Sequence, residues 1–499
     1  MPSNRGAILR ALGKKKKFQK KDVKVNNDSD SDGNISDDDV DELENDYLGQ
    51  IVNEQYILIK YIGRGTFSRI WLVHDLILDK YLIFKIYFDN NDDSEFKLEL
   101  ETLQKLKAET QCEYNINYNG FLIHKFLNET SSCKILILPY LGMALSDLID
   151  ETGSISIKES KYIIKQILYG LKELHQRSIL HTDLKMDNIL SNHYFDKNEE
   201  FTDWFSSLNI TSQYKSFLDF HTPDDDIMGQ YDKNKRKKIK KKVKKKAITD
   251  LTSYVKKQLN NYDTKILGLD EIDLNNNSSN DKIVENNNSI IDLNDNISDN
   301  ITDNLEIESI NLNSQVNQNN KEVNNDNSIC NFKFTLTDYS NATSINDIDF
   351  DTYYQIRAYR SPEDILGFEY SYKSELWAVG CILWDILTDE YLFEPELKGD
   401  SLSRDRKQLA LMEKYLGRIP KDLSLDCERS YELFEQSGRI KKNRKVEKEP
   451  LEMKLFSSRP KLTEEEISST CHFLRKIWTY DTKLRPNLEE LLDDPYLNN

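Results

Sequence analysis

Apolar and polar positions divide the chain into two patterned stretches with a long unpatterned one between them. Residues 56–61 read as a strand, Gly63-Arg64-Gly65-Thr66-Phe67-Ser68-Arg69 as a glycine-rich turn, and Ile70-Trp71-Leu72 as the strand that returns from it. Leu82-Ile83-Phe84-Lys85-Ile86 is a further apolar strand with one lysine inside it. Residues 135–138 form another, leaving through the turn Pro139-Tyr140-Leu141-Gly142. Leu100, Leu103 and Leu106 follow Glu99 at helical spacing, and residues 146–149 begin a helical half. There Tyr162, Ile163, Ile164, Ile167, Leu168, Leu171 and Leu174 predict an amphipathic helix. It feeds the polar octapeptide His181-Thr182-Asp183-Leu184-Lys185-Met186-Asp187-Asn188 into a loop, and Ile189-Leu190 follow as a short strand. Pattern resumes at Phe332-Lys333-Phe334-Thr335-Leu336, an alternating strand, and the nearly all-apolar run 376–384 predicts a buried central helix.

The remaining segments hold few apolar residues to offset ordering entropy. Residues 1–46 pass from a basic run at Lys14, Lys15, Lys16 and Lys17 to an acidic tract, and read as a disordered tail. Ser29, Ser31 and Ser36 lie among those acids, as acceptors of an acid-directed kinase would. Residues 194–331 carry the basic run 235–246 and then stretches of Asn, Asp, Ser and Ile. This reads as a low-complexity disordered insert with at most a short helix over 248–259. Loop closure costs only about 0.6 kcal/mol per doubling of length, so such an insert is compatible with one continuous fold around it. The basic run reads as a nuclear address, an anionic-partner site or a merely solvating segment.

Composition narrows the field. A formal net charge of −18 argues against nonspecific nucleic-acid binding by the chain as a whole. Six cysteines without CxxC pairing point to free thiols in a reducing compartment. No apolar run is long enough to span a bilayer, and the basic N-terminus has no apolar segment behind it. The expectation is a soluble intracellular monomer, cytoplasmic or nuclear, with no membrane partner and no direct nucleic-acid partner. Abundant Asn, Ile, Lys and Asp suggest an AT-rich genome, such as a protist's or a large DNA virus's.

The candidate chemistry lies in separated polar residues. An unpaired buried ammonium is costly, so Lys85 needs an anionic partner, and Glu99 on the following helix can supply it. Asp183, Lys185 and Asn188 stand at i, i+2 and i+5 on one loop and can converge on a reacting phosphate. Asp183 would accept the hydrogen bond of an attacking hydroxyl, Lys185 would neutralise transferred charge, and Asn188 would help hold magnesium. Asp338 would be the second oxygen ligand, which suits a hard cation that takes few protein groups. The turn 63–68, with Ile70 beyond it, would cover a triphosphate through its backbone amides, and Pro139 and Leu141 would face the adenine. A plainer reading makes each of these a solvated loop or surface residue; the presence of all of them in order argues against it.

Taken together, these motifs resemble a eukaryotic-type protein kinase over roughly residues 47–193 and 332–499. Within that superfamily the chain is most similar to the SR-protein kinases. The carriers are Asp46-Tyr47 with Gly49, Gly-x-Gly-x-Phe-Ser, Leu141-Gly142, His-Thr-Asp, Asp-x-x-Asn-Ala from Asp338 to Ala342, and Tyr391-Leu392-Phe393-Glu394-Pro395. The resemblance implies an α+β, bilobal protein kinase fold with a small, mainly antiparallel β lobe over a larger helical lobe. Its expected divisions are tail 1–46, small lobe 47–140, first part of the large lobe 141–193, insert 194–331 and remainder 332–499. It implies a serine/threonine kinase that uses ATP and Mg2+ on protein substrates, with Glu363 and Arg485 as a structural ion pair. It also implies a spacer that governs nuclear versus cytoplasmic distribution.

Thr182 replaces the arginine that in many kinases pairs with a phosphorylated activation loop, which implies activity without that switch. Other positions depart from the pattern. Ile83 should tighten the adenine roof, Ser340 should stiffen its turn, and Glu375 replaces the aspartate that anchors the catalytic-loop backbone. Ile356 lacks the hydroxyl that would orient the catalytic aspartate and lysine. Lys407 and Lys414 reverse acidic positions of the Arg-Ser docking groove, and like charge opposes an arginine-rich ligand. The alternative these departures suggest is a pseudokinase or scaffold that binds partners through the fold and its insert.

Overall fold

The computed structural model describes residues 47–65, 68–88, 94–108, 112–126, 132–153, 155–192, 197–266, 328–348, 354–396, 398–442 and 447–498. The expected tail 1–46 with its serines, the turn residues Thr66 and Phe67, and insert residues 267–327 lie outside them. The chain up to Leu259 and from Ser328 onward forms one compact unit, and Asn260–Asn327 a second one.

The small lobe is a sheet of β1 (Ile51–Val52), β2 (Tyr56–Arg64), β3 (Ser68–Asp75), β4 (Lys80–Tyr87), β5 (Gly120–His124) and β6 (Cys133–Pro139). Its order is β1-β2-β3-β4-β6-β5, and all neighbours are antiparallel. Trp71, Val73, Leu82, Phe84 and Ile86 alternate with neighbours that face the other side. They close an aromatic core with Tyr47 and Phe126. Register sets Lys85 opposite Ile70 on one side and Leu136 on the other. Helix α1 (Ser94–Ala108) turns Leu103 and Leu106 into the second, larger core.

That larger core belongs to the helical lobe. Helix α2 (Leu145–Thr152) is followed by α3 (Ile157–His175), whose start is fixed by a capping box between Ser156 and Glu159. After α3, β7 (Ile179–Leu180) and β8 (Ile189–Ser191) bracket the polar octapeptide. β8 pairs with β9 (Phe334–Leu336), and β7 with β10 (Thr343–Ser344). Chain segments far apart in sequence are thereby brought to one place.

Residues 197–266 differ from the disorder expected of the insert. They form α4 (Lys197–Ser207), α5 (Ile210–His221), α6 (Asp225–Gly229) and α7 (Lys233–Ile266), a helix of 34 residues. Val243, Ala247, Leu251, Val255 and Leu259 recur every fourth residue and are all buried, as are Phe201, Phe205 and Ile210. One apolar residue per turn among lysines leaves the average hydropathy low, yet it makes a continuous stripe once wound into a helix. These helices meet the small lobe. Tyr81 donates to the Thr202 carbonyl at 2.8 Å, Phe205 packs on His74 and Tyr81, and Lys244 pairs with Glu54 at 2.5 Å. Gly49 adopts φ +74°, and a Cβ there would lie 2.8 Å from Cγ of Lys256, so the backbone approaches α7 too closely for a side chain.

The chain then continues through α8 (Pro362–Leu366), α9 (Tyr372–Thr388) and α10 (Ser401–Leu416). In α9 every residue from Ser374 to Leu387 is buried, and Trp377 and Trp384 both pack on Trp478.

Candidate active site

Alternation along β4 points Lys85 and Tyr87 to the same face, towards α1. The Lys85 ammonium lies 2.7 Å from Oε2 of Glu99 and 2.8 Å from Oδ1 of Asp338. Burial by itself would lower the lysine's pKa, but Glu99 and Asp338 outweigh it and hold the pKa well above the ordinary value. Tyr87 donates its phenol to the same Glu99 oxygen. Sequence reasoning missed Tyr87, although its place two residues beyond Lys85 on one strand face was a signal for it.

Asp338 adopts φ +64°, a left-handed conformation uncommon outside glycine and asparagine. Burial would raise its pKa, but the Lys85 charge and the hydrogen bonds from Ser340 keep the carboxyl well below the usual carboxylate range. Ser340 donates both its hydroxyl, at 2.8 Å, and its amide to Oδ1. Ser340 thus holds the turn through its side chain as well as its backbone. Beside it, Tyr339 is fully buried and donates to Oδ1 of Asn115 at 2.8 Å, which pins the turn to α3 through the Asn115 bonds to Gly170 and Glu173.

The octapeptide is fixed from below. Oε1 of Glu375 accepts from the amides of His181 at 2.6 Å and Thr182 at 2.9 Å, and Oε2 meets Nε2 of His175 at 2.7 Å. The longer side chain at Glu375 is accommodated, and its carboxylate reaches the loop backbone. His181 contacts the Thr337 carbonyl at 3.0 Å, while the Asn188 carbonyl accepts from the amide of Thr337 at 2.9 Å. The loop and the Asp338 turn are therefore sewn together immediately before Asp338. Within the loop, Lys185 pairs with Oδ2 of Asp183 at 2.9 Å, and Asn188 donates to Oδ2 at 3.1 Å and to the Asp183 carbonyl at 2.8 Å. Burial would lower the Lys185 pKa; Asp183 outweighs it, with smaller contributions from Asp187 and Asp338, and the pKa is raised.

The structure thus gathers Lys85, Glu99, Asp338, Asp183, Lys185 and Asn188 around one crevice. Gly63 pairs with Ile70 across the hairpin, and the Gly65 amide donates to the Ser68 carbonyl at 2.9 Å, closing the turn with Arg64 exposed on it. A Cβ on Gly65 would lie 2.9 Å from the hydroxyl of buried Ser68, so the small residue at 68 already fills the space beside the glycine. Pro139 pairs with Leu82 across β4 and β6, and Leu141 packs half-buried on the large core. Thr66 and Phe67 lie outside the described residues.

The donor set fits magnesium. Every contact described for Asp338 falls on Oδ1, and its side chain is 36% exposed, so Oδ2 is open to a cation. Both bonds described for the Asn188 amide use Nδ2, which leaves its oxygen available as an acceptor. No group of three or more His, Cys, Asp or Glu among the described residues could hold a metal alone. Two oxygen donors leave the remaining positions to water and phosphate, as magnesium prefers.

Below the crevice, Glu363 and Arg485 form a fully buried two-bonded pair at 2.7 and 2.9 Å. Arg357 pairs with Asp405 at 2.6 Å, and Asp405 also binds Arg429 at 2.9 Å, a cluster that sequence reasoning did not find because its members lie on separate helices and loops. Lys414 is paired with Glu449 at 2.8 Å, and Lys407 donates to the Lys398 carbonyl at 2.7 Å.

A two-lobed fold with a lysine–glutamate pair in the small lobe, a polar loop after a long helix and a second aspartate that bonds the lysine defines a phosphoryl-transfer enzyme class. The profile of the protein kinase domain matches residues 56–220 and 318–497, and the chain belongs to the protein kinase family. It is 26% identical to serine/threonine-protein kinase L205 of Acanthamoeba polyphaga mimivirus, over 97% of this chain and 96% of that one. It is 23% identical to protein kinase dsk1 of Schizosaccharomyces pombe, covering 90% and 82% of the two chains. It is also 23% identical to serine/threonine-protein kinase SRPK of Physarum polycephalum, over 90% and 87%. Among solved structures, one described as the kinase domain of PF14_0431 superposes with a TM-score of 0.52 at 18% identity, over 90% of this chain and 97% of that one, which shows the shared fold. The protein is a serine/threonine protein kinase of SRPK-like sequence, and its family uses ATP, typically with magnesium, on protein substrates.

Proposed function

We propose that the chain transfers the terminal phosphoryl group of ATP to Ser and Thr hydroxyls of proteins, and that it needs no phosphorylation of its activation segment to do so. The observation that carries this reading is the Lys85 ammonium bonded at once to Glu99 and Asp338, an assembled rather than dismantled crevice. In this reading Lys85 binds the nucleotide phosphates while Glu99 fixes its direction. The turn 63–68 and Ile70 cover the phosphates, and Pro139 and Leu141 flank the base. Asp183 orients the acceptor hydroxyl and takes its proton as the oxygen joins phosphorus and the bond to ADP breaks. Lys185 stabilises the charge on the group in transit. Asn188 and Asp338 would hold magnesium, which would neutralise charge on the phosphates.

Independence from loop phosphorylation rests on bonds that need no phosphate. The Thr182 hydroxyl donates to the Asn341 carbonyl at 2.5 Å, and the Thr182 carbonyl accepts from the Gln355 amide at 2.8 Å. The segment after Asp338 is thus tied to the loop by the Thr182 hydroxyl and carbonyl where other kinases use an arginine and a phosphate. The contacts of Glu375 and Ser340 support the enzyme reading, and the departure at Ile356 is what favours the scaffold alternative. The composition and the mimivirus relative both fit a large-DNA-virus source.

Protein purified from a host without phosphorylating it should label generic basic or acidic protein substrates on Ser or Thr, and Asp183→Asn should fall by about 100-fold or more. Equal labelling by both proteins would overturn the enzyme reading. Labelling that appears only after an activating kinase is added would overturn the independence alone.

A further inference from the structure

The N-terminal half of α7 presents a charge distribution that the kinase reading does not use. Eleven of the fourteen residues 233–246 are Lys or Arg and none is acidic. Apart from Lys244, which is half-buried, every one of these cations is exposed. The described carboxylate contacts are Glu54 with Lys244 and Asp232, whose side chain accepts from the Lys235 amide at 2.9 Å. Like charges three and four residues apart repel along a helix, and cations at a helix N-terminus oppose its dipole. The stripe of Val243, Ala247 and Leu251 anchors this helix regardless, so the charge is held in place against its own repulsion.

Residues 28–46 carry ten acidic side chains among nineteen residues and no cation. They join the folded unit at Tyr47, which is buried in the small lobe beside the place where α7 crosses Gly49 and Glu54. At a rise of about 1.5 Å per residue, the helix N-terminus at Lys233 lies about 16 Å along the axis from Lys244. A nineteen-residue segment can extend to about 60 Å, so the reach is ample.

We propose that the basic half of α7 docks the acidic segment 28–46 of the same chain, forming an electrostatic clasp over the outside of the small lobe. Tethering a matched number of opposite charges a few residues from the helix gives an effective concentration on the order of millimolar, before any free anion competes. The clasp removes the basic run from contact with outside polyanions. It is weakened by salt, because both partners are solvent-facing.

Two measurements on the full-length chain decide it. Carbodiimide coupling of a mixture of unlabelled and isotope-labelled copies should link carboxylates of 37–46 to lysines of 235–246 within one copy, with yield falling about fivefold between roughly 50 and 500 mM salt. Replacing the acids by Asp37→Asn, Asp38→Asn, Asp39→Asn and Asp41→Asn should make the protein elute from immobilised heparin at higher salt than the unaltered chain. Links found only between copies, or no enrichment of this pair of segments over other exposed lysines, would overturn the proposal. Unchanged heparin elution of a variant that keeps its melting temperature would do the same.

Discussion

The guanidinium of Arg485 and the ammonium of Lys85 both sit in the protein interior against carboxylates, but one arrangement is closed and the other is open. Arg485 is 1% exposed; it binds both oxygens of Glu363, donates to the carbonyls of Thr479 and Lys373, and lies over the Trp377 ring. Nothing in that set is left for a ligand. Lys85 is shared between Glu99, which Tyr87 also serves, and one oxygen of Asp338, whose side chain stays partly exposed. A completed pair fixes the fold; an incomplete one retains bonding capacity for a substrate. Breaking the Arg485 pair strands Glu363, whereas without Lys85 the buried Glu99 keeps its Tyr87 bond and the Asp338 carboxylate, 36% exposed, can be rehydrated.

Mutations can break this comparison. Arg485→Ala should destabilise the protein by about 3–5 kcal/mol through the stranded Glu363 carboxylate, read by denaturant unfolding. Lys85→Met should cost less stability than that and yet reduce phosphoryl transfer by about 100-fold or more, since the orienting cation is gone. If Lys85→Met proves the more destabilising of the two, the open and closed readings are reversed. Asp338→Asn should remove the extra thermal shift given by ATP and Mg2+ together over either alone; a full shift in the variant would exclude Asp338 as a ligand. Tyr87→Phe removes one of the bonds to Glu99 and should cost about 1 kcal/mol, with turnover reduced more than substrate affinity.

The smallest effect concerns pH. The Asp338 carboxyl has its pKa depressed in the folded protein, so its contribution to stability is fully present above the ordinary carboxylate value, about 4, and is lost as pH falls through the lower folded value. In Asp338→Asn the acid-side fall in melting temperature below about pH 4 should therefore be shallower than in the parent. An identical slope would mean that Lys85 does not hold the carboxylate ionised.

The fold class was legible because strand alternation around Lys85 and helical spacing before His181 are strong local signals. The partner of Lys85 was legible because a lone ammonium in an apolar strand demands one, and Glu99 stands at the head of the next amphipathic run. Helices α4–α7 were not. The α7 stripe of Val243, Ala247, Leu251, Val255 and Leu259 is too thin to distinguish from low complexity until its burial in the folded unit is known. The cluster of Arg357, Asp405 and Arg429 was hidden for a related reason, since no local pattern connects residues on separate elements.

By itself the sequence determined which side chains are available and the local elements that carry them, because hydrophobic periodicity and turn chemistry act over a few residues. Only the tertiary structure decided that Asp338 offers one oxygen and spends the other on Lys85, that Glu375 reaches the loop despite its extra methylene, and that a lysine-rich helix is held against the small lobe. Those outcomes depend on distances and burial between segments far apart along the chain, which local pattern does not encode.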